Sequence, residues 1–344
     1  MTADILLDKA TFVGIWMESV LYGCHAAVFI FSLYFMRTNN PSLRFNPNVT
    51  VSVLVIMFIL STTHLCINFS RGMEAFVSYQ DTPFGASVYL KQLWAKSNMA
   101  KQAVYVLNIV VGDSFALYRS YIILNDPTIG NCNQLFCKLL LLPACTLICS
   151  AACGFKSVHN LGQLPHSGAN AFMREIYSFR IGLFAFSLFT NTFNTLLVVA
   201  LVTRQIRQLA GLVSTVNLGM PSPYRKVCCT LFQFGTGVPA SLITSLVLYS
   251  LKMNAIYIVL DSMSQIAGLA STAVVLSNYL PSIPSAEGAP HVLIYHRSVS
   301  VQNLREQNAE AERNGKARAG SESSVSPLNV RVMTEVSRHS DYSE

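Results

Sequence analysis

Charge is what this 344-residue sequence has least of. Asp, Glu, Lys and Arg make up 12% of it, against about 25% in soluble proteins. A chain so poor in charge cannot cover itself with a water-facing surface. Other absences narrow the chemistry. The sequence contains no His-Glu-x-x-His, no Walker loop, no Gly-x-Gly-x-x-Gly and no Gly-x-Ser-x-Gly elbow, so zincin, P-loop, dinucleotide and α/β-hydrolase chemistry all lack their working residues. No Lys lies within the last apolar run, since Lys252 precedes it, and this excludes a retinal Schiff base there. No run pairs two His as metal ligands. The expectation is therefore a protein that is no enzyme, with no metal, no cofactor and no nucleic-acid partner. No inverted repeat of the transporter kind is visible. A cleavable leader is not expected either: Asp4, Asp8 and Lys9 replace a basic start, and the first apolar run is long enough to remain as an anchor.

Apolar residues are what is there, 52% of the chain. They gather into seven runs: Thr11–Met36, Val49–Ser70, Gln102–Leu124, Leu139–Phe155, Ile181–Leu201, Val227–Leu251 and Ala255–Leu280. About 20 residues of helix cross the hydrocarbon core of a bilayer. Backbone in lipid must satisfy its own hydrogen bonds, and continuous rather than alternating runs exclude a barrel. The expected fold is all-α, a seven-helix transmembrane bundle over residues 1–281. Pro143 falls near the start of the short fourth run, where a missing N–H is tolerated, and Pro239 predicts a kink inside the sixth. Residues 282–344 read as a disordered tail. Gln302–Gly320 holds one large apolar residue, Leu304, and cannot bury enough surface to fold alone. Ser298, Ser300, Ser321, Ser323, Ser324 and Ser326 invite phosphorylation there.

Sidedness follows from Lys and Arg. With the N-terminus outside, the short inner loops hold eight basic residues and the outer segments nine. The tail tips the balance inward, and Arg204–Lys226 and Arg37–Asn48 are compact basic stretches beside run ends. The expected location is the plasma membrane, amid membrane lipids, with the C-terminus cytosolic. The sequons at Asn48 and Asn68 are then cytosolic and at the membrane edge, and both read as chance triplets. None of the nine cysteines falls in an outer loop. Cys145, Cys149 and Cys153 share one face and suit close helix packing. Cys228 and Cys229 follow Arg225-Lys226, in a palmitoylation context that also suits a buried small pair.

Charges inside runs cost about 2.5–3.5 kcal/mol each at a helix centre. Glu18, His25, His64, Asp113 and Asp261 carry that cost. Glu18, His64 and Asp261 each lie six or seven residues from the outer end of their run, roughly 9–10 Å deep. They are expected to form one polar cluster. It is either a ligand or proton site, or an interhelical hydrogen-bonded glue with carboxyls protonated by burial. Asp113 beside Gly112 suits a hydrogen bond across a close helix approach. Arg119 either snorkels to phosphates or latches helix 3 to helices 5 and 6. Asn191 and Asn194 share a face, and Ser264, Gln265, Ser271 and Asn278 form a stripe in the last run. Lys91, Lys96 and Lys101 precede the third run, where they either meet headgroups or attract an anionic ligand.

Three segments carry a resemblance. Val13–Gly23 (VGIWMESVLYG), Gly112–Leu124 (GDSFALYRSYIIL) and Thr190–Ile206 (TNTFNTLLVVALVTRQI) resemble a large family of seven-span membrane proteins from mushroom-forming fungi, over about residues 11–280. The sixth run departs from that pattern, with Gln233, Phe234 and Gly235 where the family often has an acidic residue and Ser-Gly. The resemblance implies a receptor-like architecture and no particular ligand. The expected function is ligand sensing on the outer side, with a cytosolic signalling partner at Arg204–Lys226 and the tail. The alternatives are a transporter or channel working through Glu18, His64, Asp113 and Asp261, and a non-catalytic scaffold.

Overall fold

A computed structural model of the chain describes residues 4–38, 46–79, 81–83, 85–124, 139–164, 170–213 and 236–279; side chains of 201–213 and of Asn278 are outside that description. All described residues lie in the first of two compact units, Met1–Ile283. Cys228, Cys229, Gln233 and the tail fall outside the described residues.

Among the described residues every regular element is helical. The α-helices are α1 (Leu7–Thr38), α2 (Pro47–Met73), α3 (Gly85–Leu90), α4 (Lys96–Leu124), α5 (Leu141–Gly162), α6 (Arg174–Val213), α7 (Gly237–Ser250) and α8 (Ile256–Tyr279). One π-helical turn, Glu74–Ser78, continues α2. Six of these helices are long and apolar enough to cross a membrane, and α7 is shorter at 14 residues. Several outrun the apolar runs that announced them. α5 continues past Lys156 to Gly162, so the short fourth run becomes a 22-residue helix. Pro143 and Pro239 both sit in the first turn of their described helices, where no backbone hydrogen bond is lost; the residues that would show a kink before α7 lie outside the description.

Local chemistry sets the helix ends. Asn46 caps α2 by accepting from the Asn48 N–H at 3.1 Å, with Pro47 at the first helical position. Gly85 opens α3 where a Cβ would lie 1.8 Å from the Tyr79 carbonyl oxygen, so no other residue fits. α7 ends in a Schellman turn. The Met253 N–H reaches Leu248 O at 3.0 Å, and Lys252 takes the left-handed position at φ 55°. The Lys252 ammonium lies 5.8 Å from the centre of the Tyr177 ring.

Burial runs opposite to that of a water-soluble bundle. Trp16, Ile30, Ile148 and Leu196 are more than 60% exposed, while Glu18, His25, Asn108 and Gln265 are fully buried. Apolar side chains turned outward with polar ones turned inward match lipid as the surrounding solvent. α1, α2, α4, α5, α6, α7 and α8 touch in chain order, and α8 returns to α1. α4 packs on α2, α5, α6 and α8 and so lies innermost. One end of the bundle gathers Asp4 against Asn254, Arg71 against Ser97, Asn160 against Glu175 and Ala171 against Tyr249; it is called the N-terminal end below. α4 and α6 run parallel in one register, since Gln102–Arg180 and Asp113–Asn191 are bonded pairs with the same separation of 78 residues.

Candidate functional site

Polar residues on three helices recur at helical spacing on the inward face. α1 carries Gly14, Glu18, His25 and Ser32; α2 carries Ser61, His64, Asn68 and Arg71; α8 carries Asp261, Ser264, Gln265, Gly268 and Thr272. Apart from the adjacent pair Ser264 and Gln265, each set follows steps of three, four or seven residues, which return to one side of a helix. α4 closes the group with Lys101 and Asn108, two turns apart.

The resulting network is dense. The Glu18 carboxylate meets His64 Nδ1 at 2.6 Å through Oε1 and accepts from Asn68 Nδ2 at 2.7 Å through Oε2. Asn68 in turn accepts from the Lys101 ammonium at 3.0 Å, and that ammonium lies 2.9 Å from Asp261 Oδ1. Asn108 donates to Ser264 O at 2.8 Å and to Ser61 Oγ at 3.1 Å. Gln265 donates to Ser61 O at 3.0 Å and, more weakly, to Glu18 Oε1 at 3.4 Å. Four helices, α1, α2, α4 and α8, are thus held by one set of bonds.

Close packing brings these groups together. A Cβ on Gly14 would lie 3.0 Å from Asp261 Oδ2, and one on Gly268 would lie 2.3 Å from His25 Cε1. Below His25 the column thins to neutral hydroxyls: Thr272 Oγ1 at 3.4 Å from His25 Nε2, then Ser32 donating to Thr272 O at 3.3 Å. Beyond that, Leu54, Phe115, Val275 and Tyr279 form an apolar cluster, packed with Phe29 and Tyr118. The four-helix network of Glu18, His64, Lys101 and Asp261 therefore occupies the half nearest the N-terminal end, and an apolar plug closes it below; Asp113 and Arg119 lie outside that network.

Glu18 and His64 meet directly, as a cluster at one depth requires. Asp261 does not touch them; Lys101 and Asn68 stand between. Lys101 is 5% exposed and Asn68 1% exposed, which corrects the reading of one as a surface lysine and of the other as a membrane-edge sequon. The physical reason is helix length: α4 starts at Lys96, so Lys101 is already in its second turn and faces inward. Lys101 also gives Asp261 a cationic neighbour and His64 gives Glu18 a hydrogen-bonding one, partners that the reading of carboxyls protonated by burial left out. Asp113 is apart from this network, bound to α6 through Ser187 Oγ at 2.7 Å and Asn191 Nδ2 at 2.6 Å. Arg119 makes no interhelical bond among the described residues. Its guanidinium stacks on Phe115 of its own helix at 5.2 Å, and Nε and Nη1 have no hydrogen-bond partner there. Cys145 and Cys149 face outward, which corrects their placement in a packed seam; only Cys153 packs, against Gly182.

Sequence reasoning gave Lys101 and Asn68 other roles and left Asn108 and Arg180 out of the site. Seven-residue spacing is the signal available for three of them: Lys101 and Asn108 are two turns apart on one face, as are Ser61 and Asn68. At the rim, Tyr89 donates to Glu74, and its ring lies under Arg71 at 5.5 Å. Burial, with that bond to Glu74, raises the Tyr89 phenol above its usual pKa.

Comparison of the chain with protein-family models, curated proteins and solved structures finds no match.

Proposed function

We propose that this chain is a seven-span, receptor-like membrane protein that senses a ligand at its N-terminal end and signals from the other. The supporting observation is the ionic interlock of Glu18, His64, Asn68, Lys101 and Asp261 in one half of the bundle, closed below by the Leu54–Phe115–Val275–Tyr279 plug. Buried ion pairs add little net stability compared with apolar packing, so a four-helix ionic knot is better suited to holding a particular arrangement that can be released. The bonded groups that follow His25 in that column are the neutral hydroxyls of Thr272 and Ser32, with apolar packing beyond them, which favours a sensor over a conduit.

Chain path supports the seventh crossing. α6 starts at the N-terminal end, beside Asn160, and runs away from it; α7 ends at the same N-terminal end, where Tyr249 bonds Ala171 O. α7 therefore runs back toward that end, and it lies within the expected span Val227–Leu251. An outside N-terminus gains support as well. Arg71, Lys101 and Arg180, three of the nine outer basic residues, are buried in helices, which leaves six. Setting aside Arg119 within α4 leaves seven inside. A plasma-membrane location, membership of the fungal seven-span family and a cytosolic partner at Arg204–Lys226 belong to this same proposal.

A second reading, a proton-coupled carrier, is favoured by the column Glu18–Gln265–His25–Thr272. Its weak point is Gln265, an amide that does not relay protons readily. Purified protein in liposomes with an internal pH dye and an imposed proton gradient separates the two. A sensor predicts flux equal to that of empty vesicles. Flux above that level, abolished by Glu18→Gln, would establish the carrier and end the sensor reading.

A further inference from the structure

Three basic side chains are buried near the N-terminal end, and they are not equivalent. Lys101 has Asp261. Arg71 bonds Ser97 Oγ at 2.8 Å, lies over Tyr89, and is within electrostatic reach of Asp261 and Glu74. Arg180 is 6% exposed, and its bonds are to neutral acceptors: Gln102 Oε1 at 2.8 Å and Ser157 Oγ at 3.4 Å. No carboxylate pairs with it among the described residues. A buried guanidinium without a counter-charge is costly unless an anion joins it.

Its surroundings point the same way. Tyr105, Tyr249 and Tyr257 are all close enough to feel its charge; Tyr105 also feels Asp113 and Asp261, more weakly than Arg180, and Tyr257 feels Asp261. The Tyr249 hydroxyl is committed to Ala171 O, but the Tyr105 hydroxyl is buried, 2% exposed, with no hydrogen-bond partner. Tyr105 also belongs to the apolar cluster that contains Leu183, Phe184 and Met263. An orphan O–H donor one turn along α4 from Gln102, within electrostatic reach of a guanidinium that no described carboxylate pairs with and over an apolar floor, has the polarity of a site for one negatively charged group. Arg180 lies six residues into α6, about 9 Å from its start, within reach of the N-terminal face.

We propose that Arg180, with the Tyr105 hydroxyl, anchors a single carboxylate or phosphate group entering from the N-terminal end between α4 and α6. This names the ligand class of the sensor reading and rests on that reading for its biological meaning; binding itself is measured without any signalling output. The group comes either from a soluble acid or from the headgroup of an anionic lipid.

The test uses full-length protein in phosphatidylcholine nanodiscs, with thermal unfolding followed while sodium acetate or sodium phosphate replaces sodium chloride at constant ionic strength. A parallel series uses discs containing phosphatidylglycerol. The wild type is expected to gain Tm saturably with acetate or phosphate if the source is soluble, or only in phosphatidylglycerol discs if it is lipid. Arg180→Gln should weaken the apparent affinity about tenfold or more. Tyr105→Phe, which keeps both charge and ring, should weaken it by a smaller factor. If Arg180→Gln does not fold, Arg180→Lys with Tyr105→Phe decides the matter. No stabilisation in any series, or responses in the variants equal to the wild type's, would overturn the proposal while leaving the liposome test of the sensor reading intact.

Discussion

Removing Lys101 would leave Asp261 as a buried carboxylate with one oxygen already lacking a hydrogen-bond partner among the described residues. Lys101→Met is therefore expected to destabilise the protein by about 3–5 kcal/mol, the usual effect of breaking one side of a buried pair. Lys101→Met combined with Asp261→Asn should recover part of that loss, because the remaining amide carries no charge. Thermal unfolding of the three variants in detergent checks both statements; equal losses in the single and double variants would count against the pairing. At this scale Glu18, His64 and Asp261 were legible because a charge stands out in an apolar run. Lys101 was not, because it falls just before such a run, where a lysine reads as surface. Arg180 escaped for the same reason, one residue before its own run.

Small residues at helical spacing mark two different faces of α5, and only one of them packs. Ser150, Gly154 and Ser157 turn toward α4 and α6: Ser150 bonds Leu183 O, and a Cβ on Gly154 would lie 2.6 Å from Val106 Cγ1. Cys145 and Cys149 turn outward. Gly154→Ala should cost about 1–3 kcal/mol by overpacking against a stiff β-branched neighbour. Val106→Ala in the same chain should restore most of it, while Cys149→Ala should change Tm little. Additive losses in the Gly154→Ala, Val106→Ala pair would show that the two residues do not meet. Periodicity alone did not distinguish the two stripes. In lipid both faces of a helix are apolar or small, so the contrast that separates core from surface in water is weak. The extents of α4 and α5 were hidden similarly, since a helix does not end where its apolar run does.

Across the whole molecule, the apolar runs made the helical membrane architecture legible, and the order of contacts places α4 innermost with α8 beside it. What the sequence did not reveal is the four-helix ionic network with an apolar plug below it. That network depends on which helices meet, because Glu18, His64, Lys101 and Asp261 come from four different helices. The central claim is that this interlock holds the bundle in one arrangement. Labels placed at Val88 and Leu251, both exposed near the N-terminal end, in a background with the nine native cysteines replaced, allow that arrangement to be read as a distance distribution by pulsed spin resonance in nanodiscs. The wild-type interlock should give one narrow population. The Glu18→Gln, Asp261→Asn double variant should give a second, displaced population at unchanged expression. A single narrow distribution, identical in both proteins, would contradict the account.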